Sequence, residues 1–309
     1  MPYAQEIQEF INKYPGLMAI GNTPLARIDL PKEFADLGDA KIYAKYEHLN
    51  PGGSIKDRPV LRMLVKAILD GDLTPDRTIL DATSGNAGIA YAMIGAVLGY
   101  KVELVMPENA SEERKKRLLA HGANLIFTDA QKGYDEALYE VKRRYQTEPD
   151  RYFYCDQYSN ANNPQAHYET TAVEILSQAP FITHFVGGVG TGGTISGIGK
   201  KLKETNSQIK VICIDFEEWP GVEGLKPLSE GHIIPNTFDK SVVDKMITID
   251  VLDAYEVSNK MASQGLFVGQ SSGAYILGAK MIAEESKSGH IVTIFNDIGE
   301  RYFSTSIWG

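Results

Sequence analysis

The chain has 309 residues, of which 43% are hydrophobic and 23% are charged, and its net charge at pH 7 is -9. These values are typical of a globular enzyme with one large unit or two closely packed domains, and the negative charge argues against a general nucleic-acid binder.

No apolar run approaches the ~18 residues of a membrane span, the amino terminus lacks a signal-peptide pattern, and the histidines lack metal-ligand spacing. Cys155 and Cys213 cannot build a disulfide framework, so we expect reduced thiols in a cytoplasmic protein without membrane partners.

Short aliphatic runs alternate along the chain with longer helical patterns, which predicts an α/β fold. Several runs are apolar on both faces, as parallel strands covered by helices on each side are, so we expect open twisted sheets flanked by helices. Strands are predicted at 41–46, 79–83, 102–106, 125–128, 184–187, 211–215 and 291–295. Helices are predicted at 84–98, 111–120, 133–144, 164–176, 194–203, 254–264 and 272–286.

Lys56 stands in the segment 50–58, where a turn rich in glycine follows a predicted strand. Ser54 and Asp57 predict a helix start with a capping pair, which places Lys56 in the first helical turn. The helix dipole disfavours an ammonium there, and burial acts in the same direction, toward a neutral nucleophilic amine. Such an amine is suited to hold an aldehyde cofactor as an imine. The alternative is a surface lysine at a helix start.

A second polar loop, at 83–88, follows a predicted strand and opens a helix. The hydroxyls of Thr83 and Ser84 and the free backbone N–H groups converge there, which favours a carboxylate site. Asn86 adds a polar amide where a small residue would suffice. The alternative is a plain capped turn.

The loop at 187–194 is rich in glycine and lies between a predicted strand and a predicted helix. Its backbone amides can surround a phosphate, and the hydroxyls of Thr191 and Thr194 add donors. The loop also matches G-x-G-x-x-G, and Asp215 ends the next strand, as in a dinucleotide site. An NAD-dependent dehydrogenase is therefore the alternative from another enzyme class. It leaves Lys56 without a role, so we favour a monophosphate site.

Two further segments are less specific. The turn at 269–274 places Ser271 and Ser272 at a strand-to-helix junction, where Ser272 is explained equally well as an N-cap. The most basic run, 114–117, follows acidic residues and precedes a glycine, which is the charge order of a solvated helix. We therefore predict that this run faces solvent.

Taken together, these motifs resemble the fold type II pyridoxal-phosphate enzymes of the cysteine synthase and cystathionine β-synthase family. Four motifs in the right order are more specific than one glycine loop. The four motifs are 50–58, 83–88, 190–194 and 271–273, and the tail 297–302 also matches, so that the resemblance runs along nearly the whole chain. The resemblance implies two α/β domains with the cofactor between them, and commonly a homodimer. The smaller, mobile N-terminal domain is expected at 45–158, and the C-terminal domain, with the phosphate loop, at 1–44 and 159–309.

The resemblance also implies roles for single residues. Lys56 is similar to the lysine that forms the internal aldimine with pyridoxal 5'-phosphate, and Asn86 to the asparagine that bonds the ring hydroxyl. Ser271 resembles the serine that faces the pyridine nitrogen, and a neutral hydroxyl there suits β-elimination better than transamination. The phosphate loop is implied at Gly190, Thr191, Gly192, Gly193 and Thr194.

The substrate carboxylate is implied at Thr83, Ser84, Gln157 and the backbone of Ala87, where the family usually has threonine. Finer similarity, at 54–59, 106–109, 183–186 and 301–305, points to the cysteine synthase B and O-phosphoserine sulfhydrylase branch. It implies β-replacement on O-acetylserine or O-phosphoserine with sulfide, or with a sulfur carrier as donor, which gives L-cysteine through an α-aminoacrylate. Alternatives within the family are cystathionine β-synthase and cysteine β-lyase activity.

Lys226 stands nearest to the arginine that meets the substrate phosphate in the phosphoserine-using branch. A lysine offers a point charge where an arginine offers a fork of donors, so the two are not equivalent. A solvated lysine on a loop is the alternative.

Overall fold

The computed structural model describes residues 3–30, 37–83, 85–216, 221–229 and 234–308. Within these ranges, helices cover the faces of two β-sheets. The strands are β1 (Leu25–Ile28), β2 (Lys41–Lys45), β3 (Thr78–Ala82), β4 (Val102–Pro107), β5 (Asn124–Thr128), β6 (Tyr152–Tyr154), β7 (His184–Gly188), β8 (Lys210–Phe216), β9 (Lys245–Ile249) and β10 (His290–Ile294). The helices are α1 (Gln5–Ile11), α2 (Asp57–Asp70), α3 (Asn86–Leu98), α4 (Glu112–Ala120), α5 (Gly133–Thr147), α6 (Asn162–Ala166), α7 (Ala172–Gln178), α8 (Gly193–Thr205), α9 (Val251–Ser263) and α10 (Gln270–Ser286).

The larger sheet has six strands in the order β1-β2-β10-β7-β8-β9, and the smaller has four in the order β5-β4-β3-β6. All neighbouring strands are parallel except β1 and β2. This confirms the predicted α/β fold with open sheets. Because parallel strands are joined by helices, the loops that follow their carboxyl ends gather along one edge of each sheet, where ligands bind in such folds.

The smaller sheet shows why its strands are apolar throughout. Ile79 and Leu104 pack into a cluster with α2 and α3, whereas Leu80 and Val105 pack on the opposite face against α5. Successive side chains of a strand point to opposite faces, so a sheet covered on both faces needs consecutive apolar residues. The sequence pattern therefore identified β3 and β4 correctly.

Four elements were not among those predicted, namely α1, β1, β6 and β9. They are short or partly exposed; β9, for example, alternates between exposed and buried residues at its carboxyl end. The helix predicted at 164–176 is divided in the structure into α6, a π-helical segment at His167–Thr171, and α7. The wider π segment changes the direction in which the following side chains point, and such segments are frequent at functional sites.

The amino-terminal segment, which the family resemblance assigns to the C-terminal domain at 1–44, packs in two different places. Ile7 and Ile11, one turn apart on α1, join the buried cluster of α2 and α3, together with Leu17 and Ile20. Among the described residues before 46, β1 and β2 join the larger sheet, where β1 pairs with β2 and β2 pairs with β10. The division of the chain into two domains stays a prediction.

Both cysteines are unpaired and buried, Cys155 near the smaller sheet and Cys213 within β8. Burial raises the pKa of the Cys213 thiol to about 12, so this thiol is protonated and unreactive near neutral pH. In the described part of the chain, none of the helices combines the length and the apolarity that crossing a bilayer requires.

Candidate active site

The predicted loops meet around a cavity of about 760 Å³ and a smaller one of about 30 Å³, which share several lining residues. Helices α2, α3, α8 and α10 all begin close to these cavities, so four helix amino termini face one region. The larger cavity is lined by the predicted residues Lys56, Thr83, Asn86, Ala87, Gln157, Gly190, Thr191 and Lys226. The smaller is lined by Lys56, Asn86, Gly190, Thr191, Gly192, Thr194 and Ser271. Gly193 is the first residue of α8, and Ser84 lies outside the described residues.

Lys56 occupies the N-cap position of α2, one residue before the helix, so the predicted capping pair is wrong. The hydroxyl of Ser54 accepts the N–H of Lys56 itself at 3.3 Å, and the Asp57 carboxylate accepts the N–H of Gly52 at 2.5 Å. The tight turn at Gly53, whose φ is +75°, folds this segment back onto the helix start. Asp57 therefore holds the loop and does not cap the helix.

The amine of Lys56 is in the electrostatic state that the sequence predicted. Burial lowers its pKa, and the negative charge of Asp297 opposes that shift in part. Burial disfavours the charged ammonium because it removes the group from water. A larger share of neutral amine follows, as nucleophilic attack on a carbonyl carbon or removal of a proton requires.

Other segments of the chain pack closely against the glycine loop before α8. A Cβ at Gly193 would collide with the side chain of Asn163, and one at Gly192, whose φ is +90°, would meet the backbone of Phe238. A Cβ at Gly190 would collide with the carbonyl oxygen of Gly224 and would lie 3.9 Å from the Nζ atom of Lys56. Glycine is thus required for the loop to lie close to both the lysine and the loop at 221–229.

The hydroxyls of this loop are oriented by neighbouring side chains. The Nδ2 atom of Asn163 donates to the Oγ1 atom of Thr191 at 2.8 Å. The Oγ1 atom of Thr194 is 3.2 Å from the Nε2 atom of His167, in the π-helical segment. Burial, supported by the charges of Arg58 and Lys56, lowers the pKa of His167 well below its ordinary value, so the imidazole is neutral. The α8 amino terminus thus combines backbone N–H groups with two positioned hydroxyls, as an anion site requires.

Ser271 lies in the first turn of α10, where its hydroxyl accepts from the Nδ2 atom of Asn296 at 3.1 Å. Ser272 is not the N-cap that the alternative for this turn assumed. Gly269 takes that position, and the hydroxyl of Ser272 accepts the backbone N–H of Asn296 at 2.9 Å. Both serines therefore join α10 to the segment that follows β10.

Asn86 is held by two residues whose role sequence reasoning missed. Its Nδ2 atom donates to Oδ2 of Asp297 at 2.6 Å, and its Oδ1 atom accepts from the guanidinium of Arg301. Arg301 also donates to the carbonyl oxygen of Gly52, and the Tyr302 hydroxyl donates to Oδ2 of Asp297 at 2.5 Å. The sequence signal for these residues was the segment 297–302, which is part of the family resemblance and contains both Asp297 and Arg301. The structure shows that both are buried, and buried charged residues need partners.

The proposed carboxylate side of the cavity is formed by the loop before α3. The hydroxyl oxygen of Thr83 accepts the N–H groups of Gly85 at 3.3 Å and Gly88 at 3.2 Å, which holds the loop against the cavity. Gln157 and Ala87 line the same cavity and are buried. The backbone N–H groups at the amino terminus of α3 favour a carboxylate there.

The prediction that the basic run faces solvent is wrong for its first two residues. Arg114 and Lys115 line the cavity, and the Arg114 side chain is only 12% exposed. Its guanidinium pairs with Glu223 and lies 5.4 Å from the ring centre of Tyr302. Leu118, one turn further along α4, is buried, so this face of the helix points inward. Charge order alone could not distinguish the two faces of α4.

Lys226 lines the larger cavity, and its Nζ atom lies 4.7 Å from the ring centre of Tyr158. Burial lowers the pKa of Lys226, and the charge of Asp135 opposes the shift. The structure thus places this lysine at the cavity wall on an aromatic face, a favourable cation–π position. These contacts argue against the alternative that Lys226 is a freely solvated lysine on a loop.

Asp215, which the dinucleotide alternative would place on a ribose, has other contacts. Its Oδ1 atom accepts the backbone N–H of Leu228 at 3.0 Å and that of Phe216 at 3.0 Å. The carboxylate thereby anchors the loop that carries Lys226.

The sequence matches the family described as pyridoxal-phosphate dependent enzyme over residues 17–297. The chain belongs to this family. The match overturns the dehydrogenase alternative, which rested on the glycine pattern and on the position of Asp215.

Individual members of the family are similar over almost the whole chain. A cysteine synthase from Aquifex aeolicus is 45% identical over 301 residues, which are 94% of this chain and 91% of that protein. Cysteine synthase B from Escherichia coli is 37% identical over 295 residues, 94% of each chain. The crystal structure of a cysteine synthase from Entamoeba histolytica superposes with a TM-score of 0.87 at 35% identity, covering 95% of this chain and 90% of that one.

The residues at the cavities fit pyridoxal phosphate. Lys56 offers an amine of lowered pKa, and the amino terminus of α8 offers N–H groups and hydroxyls for a phosphate. Gly190 lets the backbone of the phosphate loop approach both Lys56 and the carbonyl oxygen of Gly224, which a side chain there would prevent. Ser271, at the smaller cavity, presents a neutral hydroxyl. The donor set therefore matches an aldehyde, a phosphate and a ring nitrogen.

Proposed function

We propose that the protein is a cysteine synthase that replaces the β-substituent of an O-activated L-serine with sulfide to give L-cysteine. The observation that carries the proposal is the amine of Lys56 beside the glycine loop of α8, in a chain similar over nearly its whole length to cysteine synthases. The nucleophile is proposed to be sulfide or a sulfur carrier.

Bound pyridoxal phosphate supplies an electron sink that makes the Cα proton of an attached amino acid acidic. We propose that the Nζ atom of Lys56 removes this proton while the β-oxygen leaves with its substituent. The sulfur of the donor then bonds to the β-carbon, and Lys56 returns a proton to Cα. Burial keeps the Lys56 amine available as a base for this exchange.

The other residues bind and orient. We propose that residues 190–194 hold the cofactor's phosphate, that Asn86 donates to the ring oxygen, and that Ser271 faces the ring nitrogen. Thr83, Ser84, Gln157 and the backbone of Ala87 are proposed to bind the substrate carboxylate. A carboxylate fixed there leaves the β-substituent free to lie elsewhere in the larger cavity, which Lys226 also lines.

Incubation of the purified protein with O-acetylserine or O-phosphoserine and sulfide is expected to yield L-cysteine. The same preparation is assayed with homocysteine in place of sulfide, and with cysteine alone for sulfide release. Cysteine synthesis is expected to have the highest kcat/KM of these reactions. A higher value for homocysteine would support cystathionine synthesis instead, and a higher value for sulfide release would support a cysteine β-lyase.

Lys226 gives a separate prediction about the leaving group. If this lysine meets a substrate phosphate, Lys226→Ala should lower kcat/KM for O-phosphoserine by roughly tenfold or more while leaving O-acetylserine nearly unchanged, since a charge-assisted hydrogen bond contributes ~1.5–3 kcal/mol. The measurement is the ratio of the two kcat/KM values in wild type and variant. Lys260→Ala, on α9, is the matched control. Equal losses for both substrates would assign Lys226 a structural role on the Tyr158 ring.

We further propose that the protein acts as a cytoplasmic homodimer, without nucleic-acid or membrane partners. The two buried, unpaired thiols support a reducing compartment, and the family resemblance supports the dimer. The two separate sheets support a domain division with one domain near 45–158, although residues 3–20 pack beside α2.

A further inference from the structure

We propose that Arg301 is a positioning residue that fixes the orientation of the Asn86 amide, so that Asn86 can only donate a hydrogen bond to the cofactor. The proposal rests on the assignment of Asn86 as a cofactor ligand and extends it to the residues behind it. Arg301 is 5% exposed and Asp297 is fully buried, so both charges depend on partners within the protein.

The hydrogen bonds around Asn86 are compatible with one amide orientation only. Arg301 can donate but not accept, and it contacts the Oδ1 atom. Asp297, as a carboxylate, can accept but not donate, and it contacts the Nδ2 atom at 2.6 Å. A rotated amide would place its NH2 group against the guanidinium and its carbonyl against the carboxylate. Arg301 and Asp297 would each lose one hydrogen bond while remaining buried, which is costly.

This orientation determines what Asn86 offers to the cavities that it lines. The Nδ2 atom carries two hydrogens, and Asp297 accepts one of them. The second hydrogen is left for an acceptor in the cavity, and a negatively charged oxygen accepts a stronger hydrogen bond than a neutral hydroxyl does. Asn86 therefore favours the deprotonated form of a ring hydroxyl over the protonated form.

Arg301 also ties Asn86 to the loop that carries Lys56. The same guanidinium donates to the carbonyl oxygen of Gly52, four residues before the lysine. The backbone of Gly53 has a φ of +75°, and a Cβ there would lie 2.8 Å from the Nη2 atom of Arg301. Glycine at this position lets the guanidinium approach the loop. One side chain thus holds the start of α3 and the start of α2 at a set distance.

The arginine itself is held by the 3₁₀ turn at Gly299–Tyr302. The hydroxyl of Tyr302 donates to the same Oδ2 atom of Asp297 that accepts from Asn86, which keeps this carboxylate oxygen in place. The charged or titratable groups that act on Arg301 are Asp297 and Tyr302 from its own segment, Asp57 from the start of α2 and Arg117 from α4, and Asp297 also acts on Lys56.

The test compares Arg301→Gln, Arg301→Lys and the control Arg117→Gln. Arg117 donates to the carbonyl oxygen of Pro51, in the same loop, at 3.4 Å. Two quantities are measured for each protein: the dissociation constant for pyridoxal phosphate, and the pH midpoint of the absorbance change that reports the ring oxygen's protonation. Arg301→Gln is expected to raise the midpoint by about one pH unit and to weaken cofactor binding by about tenfold. Arg301→Lys, which retains the charge and one donor site, should give values between those of wild type and Arg301→Gln. Arg117→Gln removes a nearby charge but no hydrogen bond to Asn86, so it should change both quantities less than Arg301→Gln does.

A double-mutant cycle separates positioning from general structural damage. If Arg301 acts through Asn86, then Arg301→Gln should change neither quantity further in an Asn86→Ala background. Equal effects of Arg301→Gln with and without Asn86 would overturn the proposal while leaving the proposed enzyme function intact. If Arg301→Gln folds poorly, the same comparison with and without Asn86 is made with Arg301→Lys. A wild-type protein without affinity for pyridoxal phosphate would overturn the cofactor assignment and this proposal together.

Discussion

Replacement of Lys56 by alanine is expected to abolish the yellow colour of the purified protein and to lower cysteine formation by about 10³-fold or more. The variant lacks the amine that we propose holds the cofactor's aldehyde and removes the Cα proton, and a positioned acid–base group alone typically contributes 10²–10⁴-fold. The measurements are the absorption spectrum of the protein with pyridoxal phosphate and the rate of cysteine formation from O-acetylserine or O-phosphoserine and sulfide.

Lys66→Ala provides the matched control for this experiment. Lys66 lies on the same helix, α2, but its amine pairs with Asp70 at 2.6 Å on the outer face. The control should keep colour and rate. If Lys56→Ala kept the cofactor band and turnover, the assignment of the lysine would be wrong, whatever the similarity of the chain to cysteine synthases.

Arg58→Met is expected to reduce the free energy of unfolding by about 3–5 kcal/mol, because it removes one partner of a buried ion-pair network. The Arg58 guanidinium contacts Glu47 at 2.6 and 2.8 Å and Glu174 at 2.7 and 2.8 Å. Lys45 pairs with the same Glu174 at 2.7 Å. In the variant, Glu47 would keep the neutral donors Thr23 and Asn50 and the charge of Lys45, but no direct ion pair. Denaturant unfolding of the cofactor-bound protein measures the change.

The same network predicts a pH dependence. Burial alone would raise the pKa of Glu47, but the charge and hydrogen bonds of Arg58 outweigh burial and lower it. A carboxyl with a lowered pKa in the folded state stabilises the fold above its ordinary pKa, and this stabilisation is lost as the pH falls through the lowered value. Arg58→Met should weaken this dependence.

Arg143→Met is the control for this network, because Arg143 pairs with Glu140 on the exposed side of α5 and is 63% exposed. A surface pair of this kind contributes about 0–1 kcal/mol. Losses of similar size in Arg58→Met and Arg143→Met would contradict the account of a buried network.

Features of the site that depend on short segments were predictable. Lys56, Asn86 and the glycines at 190–194 each lie in a loop between a strand and a helix, and the structure places all of them at the cavities or at the helix start beside them. Turn glycines and apolar strands are signals within a few residues. The similarity of the chain to a known family added the order of the motifs, which no single loop could supply.

Contacts between distant segments were not predictable in this way. The two residues that orient Asn86 stand 211 and 215 positions away from it in the chain. The capping pair at Ser54 and Asp57 was inferred from local spacing, but the turn at Gly53 directed the carboxylate to Gly52 instead. Such partners depend on how a chain folds back on itself.

By itself, the sequence determined the α/β class, most of the strands and helices, and the three loops that carry Lys56, Asn86 and the proposed phosphate site. Residues close in the chain control these features, through glycine, helix starts and apolar periodicity. Only the tertiary structure decided that Arg114 faces the cavity, that Arg58 joins two buried glutamates, and that Arg301 holds Asn86. A charged side chain is buried only where a partner of opposite charge or a matching polar group meets it, and the strand order that brings such partners together is not written in any short segment.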